Sequence, residues 1–299
     1  MFQVSHERHG MVPRMLITTL LMGSLAATLA TAGPGAGTPS IDPDFASNVP
    51  GTSLVGEGNV QLEANAARAS DGQGAAMTRV WSTPTLLRLG MPNYEIRLQS
   101  SVYSRVRTYN SVNNGMSDLT LGIKGMIPQS YNRDLSLAVV LQAGVPSGSK
   151  QFKQDGVRPE VQFLGAWQLP RDNAVSGIAG VRSDVDNGGG RYATGVLGMN
   201  FAHTWNPRVT TYGELAAKEI RTASRGGKNM VFGMGAAWRA MPGTQLNATA
   251  GWGLKDNDTD FQWKLGFSRR FHPPSPGAMT KKDEQPPVET PSATTEDGK

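Results

Sequence analysis

From Val60 to Phe271 apolar and polar residues alternate with a period of two, and prolines break the alternation at nearly even intervals. Pro92, Pro128, Pro170, Pro207 and Pro242 lie 36, 42, 37 and 35 residues apart. Each sits in a short turn-forming run: Met91-Pro92-Asn93, Ile127-Pro128-Gln129, Leu169-Pro170-Arg171, Asn206-Pro207-Arg208 and Met241-Pro242-Gly243. Proline fixes its own φ and has no N–H for a sheet ladder, so it belongs in the turns rather than inside the strands. A period of two sends alternate side chains to opposite faces of an extended chain. The rhythm therefore reads as one β-hairpin after another, each interrupted midway by a polar loop.

Twelve candidate strands follow. Val60, Leu62 and Ala64 oppose Gln61, Glu63 and Asn65, and Leu87 and Leu89 oppose Arg88. Ile96, Leu98, Val102 and Val106 oppose Glu95, Arg97, Gln99 and Arg105, while Val161, Phe163 and Trp167 oppose Glu160 and Gln162. The series ends with Phe261, Trp263, Leu265, Phe267 and Phe271 against Gln262, Lys264, Ser268 and Arg270. The connectors alternate between proline turns, mostly short, and polar loops at 69–76, 109–117, 146–159, 183–191, 221–229 and 255–260. Outer-membrane barrels have short periplasmic turns and longer external loops, and tilted strands of about 9–11 residues cross the bilayer. The expected fold is all-β: a transmembrane antiparallel up-and-down β-barrel of about twelve strands over residues 57–271, with both termini on the periplasmic side.

The flanks differ. Arg8 and Arg14 precede an apolar run from Met15 to Ala30, and Ala30-Thr31-Ala32 supplies the small residues of a cleavage site, so residues 1–32 read as a signal peptide. Residues 33–56 are rich in Gly, Pro, Ser and Asp and read as an extended periplasmic lead-in. Residues 272–299 are Pro-rich and charged and read as a disordered periplasmic tail. The chain has no cysteine, which excludes disulfides, thiolate metal sites and lipidated cysteine. Its net charge of +5 is scattered along the strands rather than clustered, which argues against nucleic acid as a partner.

Several segments carry a resemblance. Ile41-Asp42-Pro43-Asp44-Phe45, Val60-Gln61-Leu62-Glu63, Thr83-Pro84-Thr85-Leu86-Leu87-Arg88-Leu89-Gly90 and Tyr94-Glu95-Ile96-Arg97-Leu98 occur in this order. Ser117-Asp118-Leu119-Thr120-Leu121-Gly122-Ile123-Lys124 and Val145-Pro146-Ser147-Gly148 follow them. Together they resemble the outer-membrane transporters of the "MetA-pathway of phenol degradation" family. That resemblance implies a barrel in the cell outer membrane of a Gram-negative bacterium, passing small compounds, aromatic or hydrophobic ones among them, with no catalytic residues to carry over. The last strand, Lys264-Leu265-Gly266-Phe267-Ser268-Arg269-Arg270-Phe271, resembles the C-terminal assembly signal of such barrels, with Gly266 and Phe271 at its key positions. It implies the barrel-assembly machinery as a partner, beside outer-membrane lipid and the small-molecule solute.

Few residues suggest chemistry. His203 shares the outward parity of Leu197, Met199 and Phe201 and lies near Trp205. It reads as an interfacial residue; a general base would need a Ser or Asp of matching parity nearby. Trp81, Trp167, Trp238, Trp252 and Trp263 share the lipid-facing parity of an aromatic girdle. Asp256, Asp258 and Asp260 lack the glycine and glutamate of a calcium loop, and no helix follows Gly188-Gly189-Gly190 to make a phosphate cradle. The inward parity collects Glu63, Arg88, Glu95, Arg97, Lys124, Glu160, Arg182, Glu214, Lys218, Arg239, Lys264 and Arg270. Eight of these are basic and four acidic, which predicts a lumen leaning toward anions or polarised solutes. The reading is a passive channel or substrate-specific uptake pore, not an enzyme and without cofactor or metal. Its rivals are a barrel enzyme on envelope lipids starting from His203, a non-conducting structural barrel, and a soluble exported propeller.

Overall fold

The computed structural model describes residues 41–71, 77–128, 134–186, 188–222, 228–254 and 260–271. The signal peptide, the start of the lead-in, the tail and Asp256 and Asp258 lie outside the described residues. The strands are β1 (Val60–Asp71), β2 (Thr78–Gly90), β3 (Tyr94–Arg107), β4 (Val112–Gly115), β5 (Leu119–Ile127), β6 (Leu135–Val145) and β7 (Arg158–Leu169). They continue as β8 (Asn173–Val185), β9 (Arg191–Asn206), β10 (Val209–Ile220), β11 (Lys228–Met241), β12 (Thr244–Gly253) and β13 (Phe261–Phe271). Twelve form the barrel; β4 is a short strand paired only with the loop end of β3, Ser104↔Gly115 to Arg107↔Val112. All pairings are antiparallel, and β1 closes on β13 from Val60↔Phe271 to Ser70↔Phe261. Closure pairs each of the twelve barrel strands on both sides, which a bilayer demands because it offers backbone groups no water.

Prolines occupy the turns. Residues 91–93, 170–172, 207–208 and 242–243 join β2 to β3, β7 to β8, β9 to β10 and β11 to β12. Arg171 and Asp172 take left-handed φ values of 61° and 58° in one of them. The outer face carries exposed Phe163, Leu197, Met199, Phe201 and Leu265. Trp81, Trp252 and Trp263 lie toward the loop end of their strands, Trp81 and Trp263 packed edge to face at 5.4 Å, and Trp167, Trp205 and Trp238 lie toward the proline-turn end. An amphipathic indole suits the headgroup level at both positions.

Two irregularities depart from simple alternation. The β2–β3 register shifts between Ser82 and Pro84, because Pro84 cannot complete the ladder. Beyond the shift Ser104 and Val106 are buried and Arg105 is exposed, the reverse of the assignment made from sequence. A bulge between Ala217 and Glu219 likewise buries Glu219.

The larger correction concerns the lead-in. Residues 41–55 do not hang outside the barrel but run through its interior. Ile41, Asp44, Phe45, Ala46, Ser47 and Val49 are at most 2% exposed. The segment starts beside β1 and β2, crosses to β10 and β12, touches β6 through Thr52 and Ser136, and leaves at Gly56. Gly56 has a φ of +85°, and a side chain on Gly90 would meet the Gly56 carbonyl at 1.7 Å. Only glycine at both places lets the chain turn from the lumen into β1. The segment buries apolar side chains such as Ile41, Phe45 and Val49, and its backbone can follow them inside because the barrel wall supplies hydrogen-bond partners.

Candidate functional site

The interior is built around that segment. Register places Arg88 of β2 directly opposite Arg97 of β3, and Glu95 opposite Lys124 of β5. Like charges facing across a ladder repel, so the wall needs acids to hold its three cations together. Glu63 and Glu95 supply two. Arg88 Nε and Nη2 each donate to a Glu95 oxygen at 2.8 Å, and Arg88 Nη1 donates to Glu63 Oε1 at 3.0 Å. The third acid comes from the lead-in: Asp44 accepts from Arg97 and from Lys124 Nζ at 3.2 Å and lies 3.5 Å from Arg88. Three cations and three carboxylates then balance. Burial raises the Asp44 carboxyl, but Arg88, Lys124 and Arg97 outweigh it and hold it below the ordinary carboxylate range. Asp42 lies in the same corner, with one oxygen accepting from Ser53 and the other without a hydrogen-bond partner among the described residues. Burial pushes its pKa up to about 6.

The wall also grips the lead-in backbone. Arg88 donates to the carbonyls of Asp42 and Ser53 at 2.9 Å, and Glu63 and Glu95 accept from the amides of Phe45 and Val55. On the far side Glu214 accepts from the Asn48 amide and from Asn48 Nδ2, both at 2.6 Å, and Lys264 Nζ donates to Asn48 Oδ1 at 3.3 Å. Tyr212 and Thr249 hydroxyls donate to the Ala46 carbonyl at 2.6 and 2.5 Å.

Above the lead-in, toward the loops, lies a cavity of about 40 Å³ whose floor is Phe45, Asn48 and Pro50. Ile178, Val196, Glu160, Arg182, Lys218 and Glu219 are among its walls. A second cavity of about 30 Å³ follows at the mouth, lined by Arg158, Arg182, Asp184, Tyr192, Glu219 and Arg221 among others. Arg182 and Glu219, 3.8 Å apart, line both. Asp118 then pins loop 146–157 over the rim. It accepts from the amides of Ser147, Gly148 and Gln154 at 3.1, 2.8 and 3.0 Å and from Arg158 Nη2 at 3.3 Å.

Of the residues named from sequence, Glu63, Arg88, Glu95, Arg97 and Lys124 meet in one cluster, with Arg270 joined to it through Gln61 at 3.0 Å. Glu214 and Lys264 hold Asn48 on the other wall; Glu160 accepts from Gln142 and Gln162, and Arg182 and Lys218 line the upper cavity. Arg239 sits apart at the proline-turn rim, donating to the Pro207 carbonyl at 3.0 Å. Gly266 is wedged inside between Asn65 and Asn247, and Phe271 is exposed on the outer face. His203 points outward, hydrogen-bonded to Asn173 at 2.9 Å and edge-on to Trp205 at 4.5 Å. Among the described residues no group of three His, Cys, Asp or Glu is arranged to hold a metal ion.

Sequence reasoning missed Asp42, Asp44, Asp118, Arg158, Asp184, Glu219 and Arg221. With them the interior and its rim hold ten basic and nine acidic residues, so the cationic excess read from strand parity is nearly cancelled. That uncancelled excess was itself the available signal: a cation-rich wall preceded in sequence by Asp42-Pro43-Asp44.

The profile of the family described as "Putative MetA-pathway of phenol degradation" matches residues 33–271. The chain belongs to that family. Its fold is similar to that of an outer membrane channel from Pseudomonas putida F1, with a TM-score of 0.60 at 14% identity over 74% of this chain and 98% of that one. The NanC porin aligns at a TM-score of 0.46 and 12% identity over 70% of this chain and 98% of that one. The KdgM porin aligns at 0.45 and 12% over 72% and 99%. No curated protein sequence matches the chain. The fold of this family member is thus that of outer-membrane barrels.

Proposed function

We propose that this protein is a passive channel of the Gram-negative outer membrane for small compounds, aromatic or hydrophobic ones among them, closed by residues 41–55 and opened when that segment leaves the lumen. The observation that carries it is the plug itself. A polar tube is filled by a segment continuous with the wall at Gly56 and held there by hydrogen bonds and ion pairs. No energy coupling or covalent chemistry is needed; the solute diffuses. Phe45, Pro50, Ile178 and Val196 give the upper cavity an apolar side, which suits a solute with an apolar body. Outer-membrane lipid surrounds the exposed apolar face, and Gly266 with Phe271 serves recognition by the assembly machinery.

Reconstitution into a planar bilayer tests this reading. Breaking a buried ion pair by removing one partner costs on the order of 3 kcal/mol, about a hundredfold in the closed-to-open ratio. Wild-type protein is expected to conduct rarely and Asp44→Asn often. A correctly folded Asp44→Asn barrel that passes no current would favour a structural barrel instead.

A further inference from the structure

The mouth of the barrel holds three arginines that the lead-in does not use. Arg158 opens β7, Arg182 lies near the end of β8 and Arg221 follows β10; all three line the outer cavity. Their acids are shared. Asp184 takes Arg182 at 2.8 and 3.1 Å but lies 4.0 and 3.9 Å from Arg158 and Arg221, and Arg158 Nη2 donates to Asp118 at 3.3 Å, which leaves its Nε. Glu219 takes Arg221 at 2.8 Å and lies 3.8 Å from Arg182. Arg158 lies along the inner wall over Gly144, where a side chain would meet its Nη2 at 3.1 Å. Its Nε is buried with no hydrogen-bond partner among the described residues. A buried donor left unmatched is costly unless something arrives to match it.

We infer that Arg158, with Arg182 and Arg221, forms a binding site for the carboxylate of a small organic acid whose apolar end extends toward Phe45, Pro50, Ile178 and Val196. A planar guanidinium matches a carboxylate with two parallel N–H donors. The cavity, about 30 Å³, has room for about two water-sized groups, the size of a carboxylate's two oxygens. Arg182 and Glu219 form the common wall between this cavity and the one above the lead-in, where Phe45, Pro50, Ile178 and Val196 give the apolar side. A solute with a charged head and a short apolar body therefore finds its two chemistries in the order in which it would meet them from the loop side. Asp184 and Glu219 keep the arginines from binding any anion tightly, so a passing acid is held and released.

The inference deepens the channel reading and rests on it, yet its test needs no flux. Propionate and 1-propanol share one short chain and differ in charge, and their binding to the full-length barrel in detergent is measured by equilibrium dialysis. Propionate is expected to bind at least about tenfold tighter, with affinity falling as salt rises. Arg158→Gln should remove that preference and leave 1-propanol unchanged; Arg158→Lys should restore part of it, because charge survives without the fork. Heat-modifiable migration on electrophoresis verifies that each variant is a closed barrel. Equal binding of the two probes by wild type, or an unchanged preference in Arg158→Gln, overturns the inference. If Arg158→Gln fails to close, competition decides: acetate should displace bound propionate from wild type and ethanol should not, and the reverse overturns it. Carboxylate preference without conductance in Asp44→Asn would sink the channel reading and leave this site standing.

Discussion

Asp42 and Asp44 stand two residues apart in the same corner and titrate in opposite directions. Asp44 is held below its ordinary range by Arg88, Lys124 and Arg97, so its contribution is complete above the unfolded carboxylate pKa and is lost only as pH falls through the depressed value. Asp42 is raised from 3.8 to about 6 by burial. Between those values the plugged form binds a proton that the released form lacks, so the plug loosens as pH rises through that window, by on the order of 3 kcal/mol if the whole difference is realised. The unpartnered Asp42 oxygen agrees with a neutral carboxyl at the lower end. Single-channel recordings from pH 4.5 to 7.5 should show wild-type open time increasing with pH. Asp42→Asn, neutral throughout, should stay closed and flat across the same range; a parallel rise in both proteins would remove Asp42 from gating.

At the scale of elements, loop 146–157 and the lead-in are both irregular segments held by carboxylates of the strands and rim, Asp118 for the loop and Glu63, Glu95 and Glu214 for the lead-in. Asp118 satisfies three amides of the loop. Asp118→Asn, retaining shape but losing charge and one acceptor, should raise hydrogen exchange at Ser147, Gly148 and Gln154 by about tenfold while the β6 and β7 amides stay protected. Uniform exchange across loop and strands would deny Asp118 that role. These segments also mark where sequence stops being readable. The strands were legible because a two-sided environment writes itself as period-two alternation, and the prolines marked the turns. Val106 and Glu219 were not, because a one-residue bulge reverses parity and leaves no trace in hydropathy. The lead-in was misread because Gly, Pro, Ser and Asp look alike in a solvated tether and in a segment whose partners are lumen side chains 18 to 216 residues away.

For the molecule as a whole, the near balance of ten basic and nine acidic interior residues depends on the plug. Without Asp42 and Asp44 the wall carries ten against seven. A variant lacking residues 41–55 should therefore conduct with a preference for anions, read as the sign of the reversal potential in a potassium chloride gradient. A cation preference would mean that the unpaired arginines and lysines do not set the potential of the pore. The closing seam adds an order of events. β1 pairs with β13, and the Arg270 side chain reaches Gln61 across 209 residues. Contacts so distant in sequence form late, because the loop between them must be closed first. Phe45 to Val55 lean on Glu63, Glu95, Glu214 and Thr249, walls that face one another only once that seam is sealed. The contacts of Asn48 with Glu214 and of Ala46 with Thr249 should therefore form after the cylinder closes, and a newly made barrel is expected to pass through a stage in which it is sealed and still hollow.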